Sequence, residues 1–299
     1  ELRPDRTMNM GQCFNWIACG NLCWAGIFGS EPLLIRQSGD YTQYLSLVRD
    51  SKQFDRCGTE RNLRSYFQLD VNLRHLYSSW SSGCERMHIV TKCLQGVRVV
   101  RQDPWECLIS FICSSNNNIS RITQMLEKLR RRYGKHVCTV CTYKISDSCV
   151  SKTMSEGCTI PDMIAHHQHQ IHDASDPTQN VWKVFYPGES ICETDLVDQF
   201  ELYSFPSVSA LAGASEDDLR ALGMGYRAKF ILASAQLVQS KCQEIVDNNK
   251  RGGCNQPLDY SPKNCFGEPW FNYLRRIAEQ ARRDDYIKPE HRHSLDDII

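Results

Sequence analysis

The chain has 299 residues, of which 41% are hydrophobic and 10% aromatic, so it can bury a core in one large domain or two ordinary ones. Thirty-five basic residues balance thirty-five acidic ones. A formal net charge of zero excludes a protein that works by bulk positive charge, though it leaves room for a local basic patch.

No apolar run reaches the length of about 18 residues that a membrane helix needs, and the start does not read as a signal peptide. With Glu1 in place of a methionine, a fragment or trimmed product is expected. Sixteen cysteines is a high count, but many sit in apolar patterns, as Cys107 and Cys113 do in "PWECLISFIC". Thiols in that setting act as small hydrophobes, and a reducing, intracellular compartment is expected.

Residues 11–50 alternate short apolar or aromatic runs with the turn signals "CGN", "GSEP" and "SGD", which predicts an antiparallel meander. From about residue 60 the period changes. "ERNLRSYFQ" and "DVNLRHLYSSW" read as short helices, the second capped by Asp70, and "CERMHIVTKCLQG" as a third, stopped by Gly96. The stretch "QDPWECLISFICSS" carries a start signal: Asp103 as N-cap, Pro104 at the first helical position, and Glu106 placed to close a capping box. Leu108, Ile109, Phe111 and Ile112 form its apolar stripe.

A second helix is predicted from near Asn118, with Ile119, Ile122, Met125, Leu126 and Leu129 on one face. Basic residues fill its last turn, as the helix dipole prefers, and Gly134 ends it.

Residues 136–198 lose periodicity and gain His and Cys, which predicts a disordered insertion loop. The helical pattern resumes in "SVSALAGASEDDLRALGMGYRAKFILASAQLVQS", with Ser215 capping one helix, Gly223 ending it and another starting near Tyr226. The tail, 241–299, is polar apart from one helical piece, "PWFNYLRRIAEQARRDD". There is no internal repeat. The fold class expected is α+β: an antiparallel sheet domain (1–55), a mostly helical body (56–135 and 199–240), a Cys/His-rich insertion (136–198) and an atypical tail (241–299).

Four stretches carry possible chemistry. Asn116, Asn117 and Asn118 fall between two helices, where free backbone N–H groups and a positive dipole end are exposed. An amide there can read a base edge, with Arg121 adding a forked contact; equally, the three can be a cap and two turn residues. "LGMGYRAKF" (222–230) brings two glycines, an aromatic and an arginine to a helix start, which suits either close approach to a phosphate or an ordinary glycine stop. "CTVC" (138–141), Cys149, Cys158 and "HHQHQIH" (166–172) are metal-ligand types in no regular finger spacing, and no metal site is assigned. "RRRYGK" (130–135) is either a solvated helix end or a phosphate contact.

Taken together, "GQCFNW" (11–16), "YFQLDVNLRHLYSSW" (66–80), "QGVRVVRQDPWECLISFICSSNNNISRIT" (95–123) and "FPSVSALAGASEDDLRALGMGYRAK" (205–229) resemble the 8-oxoguanine DNA glycosylase family of the helix–hairpin–helix superfamily. The resemblance covers about residues 8–135 and 199–240. It implies a small antiparallel sheet domain joined to a helical body. It further implies base excision repair, in which a damaged base is extruded from duplex DNA and read in a pocket. The partner implied is double-stranded DNA with 8-oxoguanine opposite cytosine. No cofactor is implied, and the protein is expected to act as a monomer in the nucleus, with the mitochondrion as a second compartment.

By position, Gly11 matches the glycine whose carbonyl reads the lesion. Ordinary guanine has an acceptor at N7, whereas the oxidised base has an N–H there, so a fixed carbonyl accepts from one and repels the other. Asn116, Arg121 and Arg227 match the residues that hold the orphaned cytosine, the arginines through forked donor pairs. Tyr226 matches the aromatic wedge.

The family's chemistry needs a lysine amine that attacks the sugar C1′ and forms a Schiff base, together with a downstream aspartate. The glycine-rich hairpin that carries this lysine is not found in 241–299. If "LGMGYRAKF" were that hairpin, Arg227 would stand where the lysine belongs, and arginine does not deprotonate to become a nucleophile. Lys229, Lys241 and Lys263 lack a matching context. No catalytic residue is therefore assigned, and little or no glycosylase activity is expected. The alternatives are a non-catalytic DNA-binding isoform and a metal-binding module built on 138–172.

Overall fold

Eight strands among the described residues find their partners in two separate sheets. A computed structural model gives the structure of residues 1–20, 22–39, 41–49, 54–144, 171–172, 180–191, 193 and 196–251. The first sheet is the predicted meander: β1 (Trp16–Gly20), β2 (Cys23–Phe28), β3 (Glu31–Ser38) and β4 (Tyr41–Ser46), paired antiparallel in chain order. The second sheet contains β5 (His136–Lys144), β6 (Ile171–His172), β7 (Asn180–Phe185) and β8 (Leu196–Tyr203) in the order β6-β7-β5-β8. Both long neighbours of β5 run antiparallel to it.

The two sheets share one core. Alternate residues Cys23, Ala25 and Ile27 of β2, with Cys19, Leu34 and Leu47, pack against Cys138 and Val140 of β5, Trp182 and Val184 of β7 and Leu202 of β8. The period of two is what a pleated strand dictates. The other face of β2 meets aromatics: Phe28 lies edge-on to Tyr66, with ring centroids 5.3 Å apart, and Tyr66 is edge-on to Phe67 at 4.9 Å. Trp16 Nε1 donates to the Tyr66 hydroxyl at 3.1 Å. Thus β2 is buried along its whole length.

The expectation of a disordered insertion over 136–198 is therefore corrected where those residues are described. The stretches 136–144, 171–172, 180–185 and 196–198 are strand, and their buried side chains are half of a sheet-on-sheet core. Residues 145–170 and 173–179 lie outside the described residues, as do 252–299 with the piece "PWFNYLRRIAEQARRDD".

Contacts divide the chain into two units, which are Glu1–Gln102 with Cys113–Ser207, and Asp103–Ile112 with Val208–Ile299. This replaces the predicted division at residue 55. The first unit holds both sheets and helices α1 (Pro4–Thr7), α2 (Arg56–Tyr66), α3 (Leu73–Gly83), α4 (Glu85–Cys93) and α6 (Ile119–Tyr133). Most of α5 (Pro104–Ser114) belongs to the second unit, with α7 (Val208–Ala212), α8 (Glu216–Leu219) and α9 (Ala228–Arg251). In the second unit α7 packs on α9, and Leu211, Leu219, Met224, Ile231 and Ala235 are buried.

Several helix starts follow the predicted caps. Asp103 Oδ1 accepts from the N–H groups of Trp105 and Glu106, both at 3.0 Å, and Ser215 Oγ accepts from Asp218 N–H at 3.0 Å. The cap of α3 is Asn72, whose Oδ1 accepts from His75 N–H at 3.2 Å, and not Asp70. Asp70 stands too early to reach that first turn and lies 4.0 Å from Arg64. Helix α4 ends at Leu94, two residues before Gly96. Two residues assigned to apolar stripes face outward: Phe111 is 75% exposed and Ile119 54% exposed.

The C-terminal end of α6 is tied to β8. Gly134 N–H donates to Arg130 O at 2.8 Å, and a Cβ on Gly134 would collide with the Ser204 carbonyl. Only glycine allows that approach. Ser204 and Lys135 then exchange hydrogen bonds at 2.9 and 3.0 Å.

Candidate nucleic-acid interface

The three asparagines of the α5–α6 junction have three different tasks. Asn118 is the N-cap of α6, its Oδ1 accepting from Arg121 N–H at 3.0 Å. Asn117 closes the turn: its Nδ2 donates to Cys113 O at 2.9 Å, and its Oδ1 accepts from Asn118 N–H at 3.0 Å. Asn116 is exposed and has φ +46°, a left-handed conformation that asparagine tolerates better than most residues. So 117 and 118 shape the turn, and 116 stands at its exposed tip.

Arg121 lies in the first turn of α6, exposed, and its guanidinium makes no ion pair among the described residues. A cation at a helix N-terminus works against the dipole, so the helix itself gains nothing from it. A nearby phosphate or base edge would.

Gly11 approaches the same junction within the first unit. Its φ is +72°, and a Cβ placed on it would sit 2.7 Å from Ile119 Cδ1. The residue matched to lesion reading thus rests against the first residue of α6, three positions after Asn116. Ile119 remains 54% exposed beside that contact.

In the second unit, Gly223 (φ +93°) ends the α8 region and Gly225 (φ +56°, ψ −133°) opens the turn before α9. That second conformation is open to glycine and strained for any L side chain. It presents Tyr226, which is 46% exposed, on a single 3₁₀ turn. Arg227 is only 4% exposed, and its guanidinium carbon lies 4.5 Å from the Tyr226 ring centroid. The cation backs the ring, a geometry that holds the aromatic face in place.

The remaining candidates resolve differently. Arg131 pairs with Glu127 at 3.1 Å and with Glu201, and stacks on Tyr203, while Arg130 stacks on Phe205. The basic end of α6 is therefore occupied in docking the helix onto β8. Cys138 and Cys141 are buried in β5, and burial pushes the Cys138 thiol up to about 12. A thiol that resists ionisation is a core hydrophobe and a poor zinc ligand. Among the described residues, no three His, Cys, Asp or Glu side chains gather in a way that could hold a metal ion. Cys149, Cys158 and His166–His169 lie outside the described residues, as does Lys263. Lys229 rests its amine over the Phe230 ring at 4.9 Å, and Lys241 pairs with Glu244 at 2.8 Å.

Sequence reasoning missed Gln12. Its side-chain amide spans Thr7, Arg98 and Val100, residues whose participating atoms are all backbone, so no sequence pattern marks them.

The division of labour in the junction has a measurable consequence. Asn118→Ala is expected to lower stability by about 1 kcal/mol through loss of the cap. Asn116→Gly is expected to leave stability unchanged or slightly higher, because glycine accepts the left-handed backbone freely. Thermal unfolding of the two variants checks this; equal losses would mean that Asn116 also holds the turn.

An antiparallel sheet domain with a helical unit is the fold of solved 8-oxoguanine DNA glycosylases. The Clostridium acetobutylicum 8-oxoguanine glycosylase/lyase in its apo form superposes with a TM-score of 0.53 at 18% identity, covering 80% of this chain and 61% of that one. MBOgg1 in complex with a low-affinity DNA ligand gives 0.52 at 21% identity, with 80% and 60% covered. The Clostridium enzyme has also been solved with double-stranded DNA containing cytosine opposite to 8-oxoG, again at a TM-score of 0.52.

Residues 1–108 match the family model for the 8-oxoguanine DNA glycosylase N-terminal domain. The N-glycosylase/DNA lyase OGG1 of Arabidopsis thaliana is 28% identical over 243 residues, which is 81% of this chain and 50% of the relative. The N-glycosylase/DNA lyase of Saccharomyces cerevisiae is 29% identical over 258 residues, with 83% and 53% covered. The chain is similar to the 8-oxoguanine DNA glycosylase family over these residues, and it spans about half the length of the curated relatives it matches.

Proposed function

We propose that the chain recognises 8-oxoguanine opposite cytosine in duplex DNA and serves base excision repair, the work of an N-glycosylase with associated lyase activity. The observation that carries this reading is the junction in the first unit. There a glycine at φ +72° lies against Ile119, in the same turn that exposes Asn116 and Arg121. Tyr226 and Arg227 support it independently, as an exposed ring stacked on a buried cation. Tyr226 is the wedge in this reading, Asn116, Arg121 and Arg227 take the orphaned cytosine, and the Gly11 carbonyl takes the lesion. The protein binds as a monomer, and repair work suits the nucleus, with the mitochondrion as a second compartment.

Residues 1–299 taken alone are read as a recognition chain with little chemistry of their own, because the lysine-bearing hairpin is not found in 241–299. Borohydride trapping on a duplex with 8-oxoguanine opposite cytosine tests this. The expected result is no covalent band, together with salt-sensitive binding that is tighter to the lesion duplex than to a G:C control. A band that disappears when one lysine is replaced would assign a nucleophile and overturn the inactive reading. Equal affinity for both duplexes would overturn lesion recognition itself.

A further inference from the structure

The side chain of Gln12 behaves as a piece of backbone. Its Nε2 donates to Thr7 O at 2.9 Å and to Arg98 O at 2.8 Å, and its Oε1 accepts from Val100 N–H at 3.0 Å. Two donors and one acceptor are thus engaged, and the pairing with residues 98 and 100 copies the way a peptide group pairs with a neighbouring strand. The main-chain carbonyl of Gln12 is held as well, by the Nε2 of Gln102. Gln12 is therefore fixed at both its side chain and its backbone to the extended stretch 98–102. All of these residues belong to the first unit.

This bears on Gly11, because the Gly11 carbonyl belongs to the peptide group whose nitrogen is that of Gln12. On its other side Gly11 rests on Ile119. With Gln12 tied to 98–102 and Gly11 packed on Ile119, the room in which the peptide plane between them can turn its carbonyl is narrowed. A carbonyl that distinguishes an N–H from a lone pair needs that rigidity. If it could rotate, it would avoid the repulsion from ordinary guanine and discrimination would fall.

We infer that Gln12 is the positioning residue for the Gly11 carbonyl, and that its amide clamp on Thr7, Arg98 and Val100 sets how strongly the chain prefers 8-oxoguanine to guanine. The inference rests on the reading of Gly11 proposed above.

The test compares the purified 299-residue chain with Gln12→Glu and Gln102→Ala on three duplexes, carrying 8-oxoguanine, guanine or a tetrahydrofuran abasic analogue opposite cytosine. Gln12→Glu keeps the shape but sets a carboxylate against two carbonyls. Gln102→Ala removes one hydrogen bond and leaves the Gln12 amide intact, so it serves as the milder variant should the first fail to fold. The lesion-over-guanine ratio is expected to fall about fivefold to tenfold in Gln12→Glu, and less in Gln102→Ala, the scale of one or two lost hydrogen bonds. Affinity for the abasic duplex, which has no base to read, is expected to hold within about twofold.

A parallel loss on all three duplexes would mean that Gln12 only supports the fold, and would overturn the inference. So would an unchanged ratio in both variants. No lesion preference in the unmodified chain would instead overturn the reading of Gly11, and this inference with it.

Discussion

Replacing Trp182 by alanine is expected to remove about 3–5 kcal/mol of stability, the range for deleting a fully buried aromatic. Trp182 is 1% exposed at the centre of β7, and it packs among Cys19, Cys23, Leu34 and Leu47 of the first sheet. A Cβ on Gly20 would lie 2.9 Å from the indole, so the ring closes against backbone there. The cavity left by alanine cannot be filled by a neighbour, because strands on both sides fix the wall. Against a typical domain stability of about 5–15 kcal/mol, such a loss moves a urea midpoint far down. A loss under about 1 kcal/mol would show that β7 lies outside the core and that the insertion is dispensable after all.

The second large effect concerns DNA. Arg227→Ala is expected to weaken binding to an abasic-analogue:cytosine duplex by about tenfold to a hundredfold, as for loss of a forked contact to a base. The guanidinium also backs the Tyr226 ring at 4.5 Å, so its removal frees that ring as well as a donor. Arg227→Lys restores the charge but neither the fork nor the flat stacking surface, and it is expected to recover only part of the affinity. Fluorescence anisotropy on a labelled duplex measures both. Full affinity in Arg227→Ala would remove this residue from the interface.

Helix starts were legible because a cap is a local exchange between one side chain and the next turn. Asp103 and Ser215 each needed only three residues of context. The meander was legible for the same reason, since its turns lie between adjacent strands. Strand β5 was not legible. Its sequence, "HVCTVCTYK", is buried on both faces from Cys138 to Tyr143, so it shows no alternation, and its cysteines suggested metal chemistry. Its partner β7 begins only after a long polar interval, and pairing across such an interval leaves no trace in periodicity. Ile119 and Phe111 failed in the opposite way: both fit an apolar stripe, yet both face outward. At the site, Asn116, Arg121 and Tyr226 could be named from family resemblance. The assignment of Asn117 and Asn118 to the turn, and the clamp on Gln12, required coordinates.

The shared core of the two sheets has a consequence for synthesis of the chain. The inner face of β1–β4 is complete once Leu47 has been made, but its covering residues Trp182, Val184 and Leu202 come roughly 150 residues later. At roughly 5–20 residues per second, a ribosome leaves that apolar face open for roughly ten to thirty seconds. Two features make the interval tolerable: the cysteines and alanine on that face are small, and aromatic residues of α2, made soon after β4, can already cover its other side. The nascent first sheet is therefore the stage at which a chaperone is most useful to this protein.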